Sequence, residues 1–342
     1  MKAVIFRQHG GPETLEYADV PDPSPGAGDI LVRVKACALN RLDCWIRQGV
    51  PSYQIALPHI SGCDVAGVVE RLGPGVTEFR AGDRVVLTPG LSCWTCDACR
   101  AGRDNWCASF GIRGAATDGG YAELTVARAR DAVRLPNGVS FELAAAYPLV
   151  FLTAWHMLIS RAKLQAGETV LVHAAGSGVG HAAVQIAKHI GARVFTTVGA
   201  ETKTAKAAAL GADHVINYQQ EDFEVCVKDL TQRRGVDVVF EHIGPETWER
   251  SLRLLAKGGR LVTCGATSGP NVSLDLRYVY SRELTILGNY MGTRAEFNTV
   301  TQRVFEGALR PVVDTTFPLR EARVAQERIL RREVFGKLLL CP

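Results

Sequence analysis

Thr169-Val-Leu-Val-His173 runs directly into Ala174-Ala-Gly-Ser-Gly-Val-Gly180. The short apolar run predicts a strand buried on both faces. The small residues after it let a backbone approach a pyrophosphate, and the N-terminus of a following helix would supply free N–H groups and a positive dipole there. Val179, Ala183, Ile186, Ala187 and Ile190 do fall on one helix face, and Gly191 is a natural stop. Ser177, Gly178, Val179 and Gly180 are therefore the candidate phosphate-binding residues. Ser177 takes the middle glycine slot of the strict G-x-G-x-x-G, and a purely structural βα turn is the competing interpretation.

Downstream, strand-like runs recur at 193–198, 214–216, 236–240, 259–264 and 284–287, with helical stretches between them. Six strands alternating with helices predict an α/β doubly wound parallel sheet of Rossmann type. Before residue 140 the rhythm differs: short strands at 30–35, 65–71 and 84–87 are separated by Gly/Pro turns, which predicts an antiparallel β domain. We expect a first domain over 1–148, a nucleotide-binding domain over 149–290, and a segment 291–342 that returns to complete the first.

The chain has 342 residues, 47% hydrophobic and 22% charged, which suits about two globular domains and argues against disorder. Its net charge of +4 is spread without a basic block, so no nucleic-acid partner is expected. Residues 143–160 lack Asp, Glu, Lys and Arg, but Pro148, Thr153, His156 and Ser160 interrupt them, and a buried helix fits better than a membrane span. The run after Met1 is too short for a secretory signal. A soluble, cytoplasmic protein with no membrane partner is the expectation.

Ten cysteines without a secretion signal do not suggest a disulfide framework. Cys93, Cys96, Cys99 and Cys107 are spaced to form a closed tetrahedral thiolate site, which would hold one structural Zn²⁺ within a lobe at 91–110. An iron–sulfur cluster or disulfides are the alternatives.

Cofactor choice rests on the second strand of the parallel series. Its tip, Thr197-Val198-Gly199-Ala200, carries no acid, Lys203 follows, and Tyr218 ends the third strand unit. A cation where an acid would hold a ribose favours a 2′-phosphate, hence NADPH. Glu201 curling back to the ribose would instead favour NADH. His173 and His242 end two strands of the series and read as hydrogen-bond partners rather than catalysts.

The chain resembles the medium-chain dehydrogenase/reductase superfamily over essentially its whole length. The resemblance is carried by Pro58-His-Ile-Ser-Gly62-Cys-Asp64-Val-Ala-Gly67, Gly82-Asp-Arg-Val85, the four-cysteine lobe, Gly119-Gly-Tyr-Ala-Glu123 and the nucleotide loop. It implies a GroES-like catalytic domain, a Rossmann domain, and a homodimer or homotetramer. Zinc alcohol dehydrogenases of this family hold a catalytic metal with a Cys, the His of a Gly-His-Glu triplet, and a Cys or Asp. The matching positions here are Asn40, Cys63 and, near the third, Leu149. A catalytic metal rebuilt from Cys37, Cys44, Cys63, His59 or Asp64 is the competing possibility. Asn40, Asp43 and the segment Pro148–Trp155 resemble the quinone oxidoreductase branch instead, which lacks catalytic zinc.

The resemblance thus implies hydride transfer from NAD(P)H to a quinone or an α,β-unsaturated carbonyl, a small-molecule substrate, without catalytic metal. Asn40, Asp43 and Thr153 are the candidate catalytic residues, with Asn40 and a cofactor ribose hydroxyl the candidates to polarise a carbonyl and Thr153 anchoring the nicotinamide. Lys203, Tyr218, Gly199 and Arg332 would receive the 2′-phosphate. Tyr53 is a further candidate proton donor, with a surface-loop aromatic as the equal alternative. A zinc alcohol dehydrogenase and a non-catalytic nucleotide-binding protein of the same fold are the rival functions.

Overall fold

The computed structural model describes residues 1–50 and 53–342. They form two compact units, one from Met1–Leu149, Thr293–Phe305 and Pro311–Pro342, the other from Val150–Gly292 and Glu306–Arg310.

In the second unit the strand Thr169–Val172 is buried throughout, because all four of its residues are apolar or β-branched. It pairs in parallel with Arg193–Val198 on one side and Val236–Glu241 on the other. His214–Asn217 extends the sheet beyond the former, and Leu255–Thr263 and Thr285–Gly288 beyond the latter, all in parallel. The first three strands therefore step outward one way and the last three the other way. This is the six-stranded doubly wound sheet expected from the sequence, and its order reverses beside Thr169–Val172. Leu171, Phe195, Val239, Leu252 and Leu261 meet in its core. Each such side chain contributes roughly 1.5–3 kcal/mol by leaving water. The charge-poor segment forms helix Pro148–Trp155 and then a wider π-type turn, His156–Arg161. No helix among the described residues is long and apolar enough to cross a membrane.

The first unit is built on a mostly antiparallel sheet. Its strands lie in the order Val313–Pro318, Lys337–Cys341, Asp29–Ala38, Asp64–Leu72, Arg84–Leu87 and Ala132–Arg134, and Leu124–Arg128 also pairs with Asp29–Ala38. The long strand Asp29–Ala38 thus ends between two others. Ala38 faces Asp64 on one side and Leu339 of the chain's last strand on the other. Immediately beyond, Asn40 starts helix Arg41–Gln48, which Gly49 closes in a left-handed conformation.

Candidate active site

That register gathers a polar cluster inside the first unit. Antiparallel pairing at Leu339 and Ala38, continued by the Leu39 N–H bond to the Leu338 carbonyl, brings Lys337 level with Asn40. The Lys337 ammonium donates to Asn40 Oδ1 at 2.6 Å and to Asp64 Oδ2 at 3.1 Å. Asn40 Nδ2 donates to Asp64 Oδ2 at 2.8 Å and to Cys63 Sγ at 3.2 Å. Asp64 Oδ1 accepts the backbone N–H of Leu149 at 2.9 Å. A lysine and an aspartate buried this fully are tolerable only as a pair, since an isolated charge out of water is costly. Within the cluster Asn40 is the most exposed, 6% against 2% for Lys337 and 0% for Cys63 and Asp64.

Asp43 holds the rear of this cluster. Its Oδ2 accepts the Asn40 backbone N–H at 2.7 Å and the Tyr121 hydroxyl at 2.9 Å, while Oδ1 accepts the Gly62 N–H at 3.2 Å. Burial pushes its pKa up to about 6 despite these donors. Burial also drives the Cys63 thiol and the Tyr121 hydroxyl well above their ordinary values, so both stay protonated at neutral pH. His59 turns elsewhere, to the Gly114 carbonyl at 2.9 Å. Cys37 and Cys44 are buried. Tyr53 is partly exposed, with its N–H bonded to the Val50 carbonyl.

The four-cysteine lobe is a separate feature of the same unit. The Sγ atoms of Cys93, Cys96, Cys99 and Cys107 all lie within 4.8 Å of one another, with Cys96 to Cys99 at 3.5 Å and Cys93 to Cys99 at 3.9 Å. A tetrahedral Zn²⁺ with bonds of about 2.3 Å needs sulfurs roughly 3.8 Å apart, so the residues fit the ion. No other group of three or more His, Cys, Asp or Glu among the described residues brings its ligand atoms together this way. The Thr95 hydroxyl and the N–H groups of Thr95 and Cys96 pull Cys93 down to about 5, which favours the thiolate that a metal takes. Asp104, inside the lobe, accepts the Arg294 N–H with both carboxylate oxygens, at 3.1 Å each, and so caps helix Arg294–Phe305.

In the second unit, Ser177 caps helix Gly178–Ile190 by accepting the Gly180 N–H at 2.9 Å. A Cβ on Gly180 would collide with the Ala174 carbonyl and with Ser177 Oγ, so only glycine lets the turn close this tightly. The first helical turn carries no acid, leaving the dipole and the N–H groups of Gly178 and Val179 suited to a phosphate. At the second strand's tip, a Cβ on Gly199 would collide with the Tyr218 hydroxyl, so that hydroxyl lies over the glycine. Lys203 lies in the short turn Glu201–Lys203 that follows. Glu201 accepts from Asn217 Nδ2 at 3.3 Å. Thr153 is nearly buried and donates to Met291 Sδ at 3.9 Å, a weak acceptor. Arg332 belongs to the first unit, where it is exposed with a positive φ of 60°.

His173 and His242 are internal to the sheet's end. His173 Nε2 lies 2.9 Å from Ser251 Oγ, which donates to Glu241 Oε2 at 3.0 Å, and His242 Nε2 lies 3.0 Å from the His173 carbonyl. This Ser–His–Glu arrangement is fully buried and closed to substrate, and desolvation lowers His173 to about 4, keeping it neutral.

Lys337 is the residue that the sequence reading missed. A lone lysine before Leu338-Leu-Leu340, and a lone aspartate before Val65-Ala-Gly-Val-Val69, were the available signal: opposite charges heading two apolar strands.

Family models match the chain over residues 26–137, as an alcohol dehydrogenase GroES-like domain, and over 178–306, as a zinc-binding dehydrogenase. A quinone oxidoreductase of Pseudomonas aeruginosa is 33% identical over 350 residues, 100% of this chain and 99% of that one. A 2-haloacrylate reductase of Burkholderia sp. is 32% identical over 355 residues, 99% and 98% of the two chains. Among solved structures, an NAD-dependent alcohol dehydrogenase is similar at a TM-score of 0.95 and 43% identity, covering 100% of both chains.

Proposed function

The chain belongs to the medium-chain dehydrogenase/reductase superfamily as an NAD(P)-dependent oxidoreductase, and within it we propose that the protein reduces a quinone or an α,β-unsaturated carbonyl without a catalytic metal. One observation carries this reading. The positions that the resemblance matches to a catalytic zinc's ligands are Asn40, Cys63 and, near the third, Leu149, and there the Asn40 and Asp64 side-chain oxygens already bond the Lys337 ammonium. A divalent ion would have to displace that buried cation.

A bound nicotinamide cofactor supplies the hydride. Ser177, Gly178, Val179 and Gly180 would hold its pyrophosphate, and Thr153, lightly held by Met291, is free to turn its hydroxyl to the carboxamide. As hydride reaches the acceptor carbon, negative charge grows on the substrate oxygen, and a fixed donor there lowers the barrier. We assign that donor to Asn40. With the planar amide held in place, the Nδ2 proton aimed at neutral Cys63 Sγ gains more by being shared with an anionic substrate oxygen than the one on the Asp64 carboxylate. Asp43, buried behind three donors, acts through the Asn40 and Gly62 backbone as a positioning residue.

For the dinucleotide we propose NADPH, with Lys203 and the Tyr218 hydroxyl over Gly199 receiving the 2′-phosphate and Arg332 joining them, as the resemblance implies. Asn217 draws Glu201 toward the third strand, which supports this choice over NADH. One Zn²⁺ in the cysteine lobe and a homodimer or homotetramer complete the proposal.

The test is NADPH and NADH oxidation against quinones, enones and aldehydes, with and without a chelator too weak to strip the lobe. Turnover of quinone or enone that is insensitive to chelator supports the reading. Chelator-sensitive turnover confined to aldehydes supports a zinc alcohol dehydrogenase; the similarity to an NAD-dependent alcohol dehydrogenase favours the alcohol–aldehyde part of that rival reading. Stoichiometric NADPH binding without turnover would leave a non-catalytic protein.

A further inference from the structure

We propose that Lys337 is a positioning residue for the reaction, its buried ammonium holding the Asn40 amide in the one orientation that presents Nδ2 as a donor. The inference rests on the metal-free reading above. Asn40, Asp64 and Lys337 form a closed triangle, bonded along all three sides at 2.6, 2.8 and 3.1 Å. A lysine ammonium has donors and no acceptor, so the Asn40 atom beside it is the oxygen. Rotating the amide by half a turn would set an NH₂ group against the ammonium and a carbonyl oxygen against the Asp64 carboxylate, two repulsive contacts in place of two hydrogen bonds.

Orientation is half of the effect. An ammonium on Oδ1 also draws electron density from the amide, which makes the Nδ2–H groups stronger donors in a chain of linked bonds. Lys337 thus bears on the donor that meets substrate while itself staying 2% exposed, out of substrate's reach. Its place follows from the last strand's register, and its partner Asp64 heads the strand on the opposite side of Asp29–Ala38. A role limited to filling space or balancing charge would need no donor toward Oδ1.

Two double variants separate these roles while removing both buried charges together: Lys337→Met with Asp64→Asn, and Lys337→Gln with Asp64→Asn. Only the second keeps an N–H donor toward Asn40 Oδ1. Side-chain amide signals of Asn40 are followed by NMR in protein labelled with ¹⁵N-asparagine and assigned with Asn40→Ala. In the methionine pair we expect those protons to shift and to exchange with solvent at least about tenfold faster, and kcat to fall roughly ten- to a hundredfold with the KM for NADPH within about twofold. The glutamine pair should recover much of both. Equal behaviour of the two pairs, or an Asn40 amide unmoved in the folded methionine pair, overturns the proposal. Should the parent protein reduce no quinone or enone, the functional reading falls, and the amide signals decide by themselves whether Lys337 orients Asn40.

Discussion

Lys337 Nζ lies 2.6 Å from Asn40 Oδ1, across 297 residues of sequence, and this contact decides which end of the Asn40 amide faces Asp64 and Cys63. Removing the lysine alone leaves Asp64 buried without its counter-charge. Lys337→Met should therefore lose about 3–5 kcal/mol of stability in denaturant melts, and Lys337→Met with Asp64→Leu should recover most of it. Additive losses in the double variant would mean that the two groups do not act as a pair.

Asp43 should give the protein a pH signature. Its folded pKa of about 6 exceeds the ordinary 3.8, so the native state holds this proton more tightly than the unfolded chain does. The group's contribution is greatest in acid and is lost as pH climbs from about 4 to about 6. Relative to Asp43→Asn, the parent should lose about 2 kcal/mol between about pH 4.5 and pH 7. Tyr121, Asp64 and Lys337, which surround the carboxyl, remain in both proteins. A difference that does not change with pH would show Asp43 titrating normally.

Much of this architecture was legible in the sequence, and the illegible part has a common cause. Thr169–Val172 and helix Gly178–Ile190 carry local signals, apolar periodicity and a small-residue turn, which need no distant partner to be read. The cysteine cluster is equally local, its four thiols falling between residues 93 and 107. The polar cluster is not. Lys337 reads alone as the solvated start of a strand, and only pairing with Asp29–Ala38 carries it inward. Asn40 was legible as a candidate through the resemblance, but the engagement of both its amide protons follows from Cys63 and Asp64 lying on another strand's end.

The cysteine lobe should be metal-dependent and locally so. Cys96→Ser should release the ion and expose residues 91–110 to proteolysis, with hydride transfer reduced only indirectly, through Asp104 and the start of helix Arg294–Phe305. Full zinc retention in this variant would remove Cys96 from the ligand set.

Cofactor preference should follow Lys203 and Tyr218. A charge-assisted bond to a phosphate is worth about 1.5–3 kcal/mol, so Lys203→Ala should raise the KM for NADPH roughly ten- to a hundredfold and leave that for NADH nearly unchanged. Tyr218→Phe should do the same more weakly, since it removes the hydroxyl over Gly199 and keeps the ring. A parent enzyme that prefers NADH tenfold would instead make Glu201 the ribose acid.

Anomalous diffraction at the zinc edge, on crystals of the active protein, distinguishes hydride transfer beside a resident ammonium from hydride transfer beside a metal. We expect one peak per chain, among Cys93, Cys96, Cys99 and Cys107, and ordinary lysine density bonded to Asn40 and Asp64. A second peak beside Cys63 and Asp64, with the Lys337 side chain turned away, would make the enzyme a metal-dependent one.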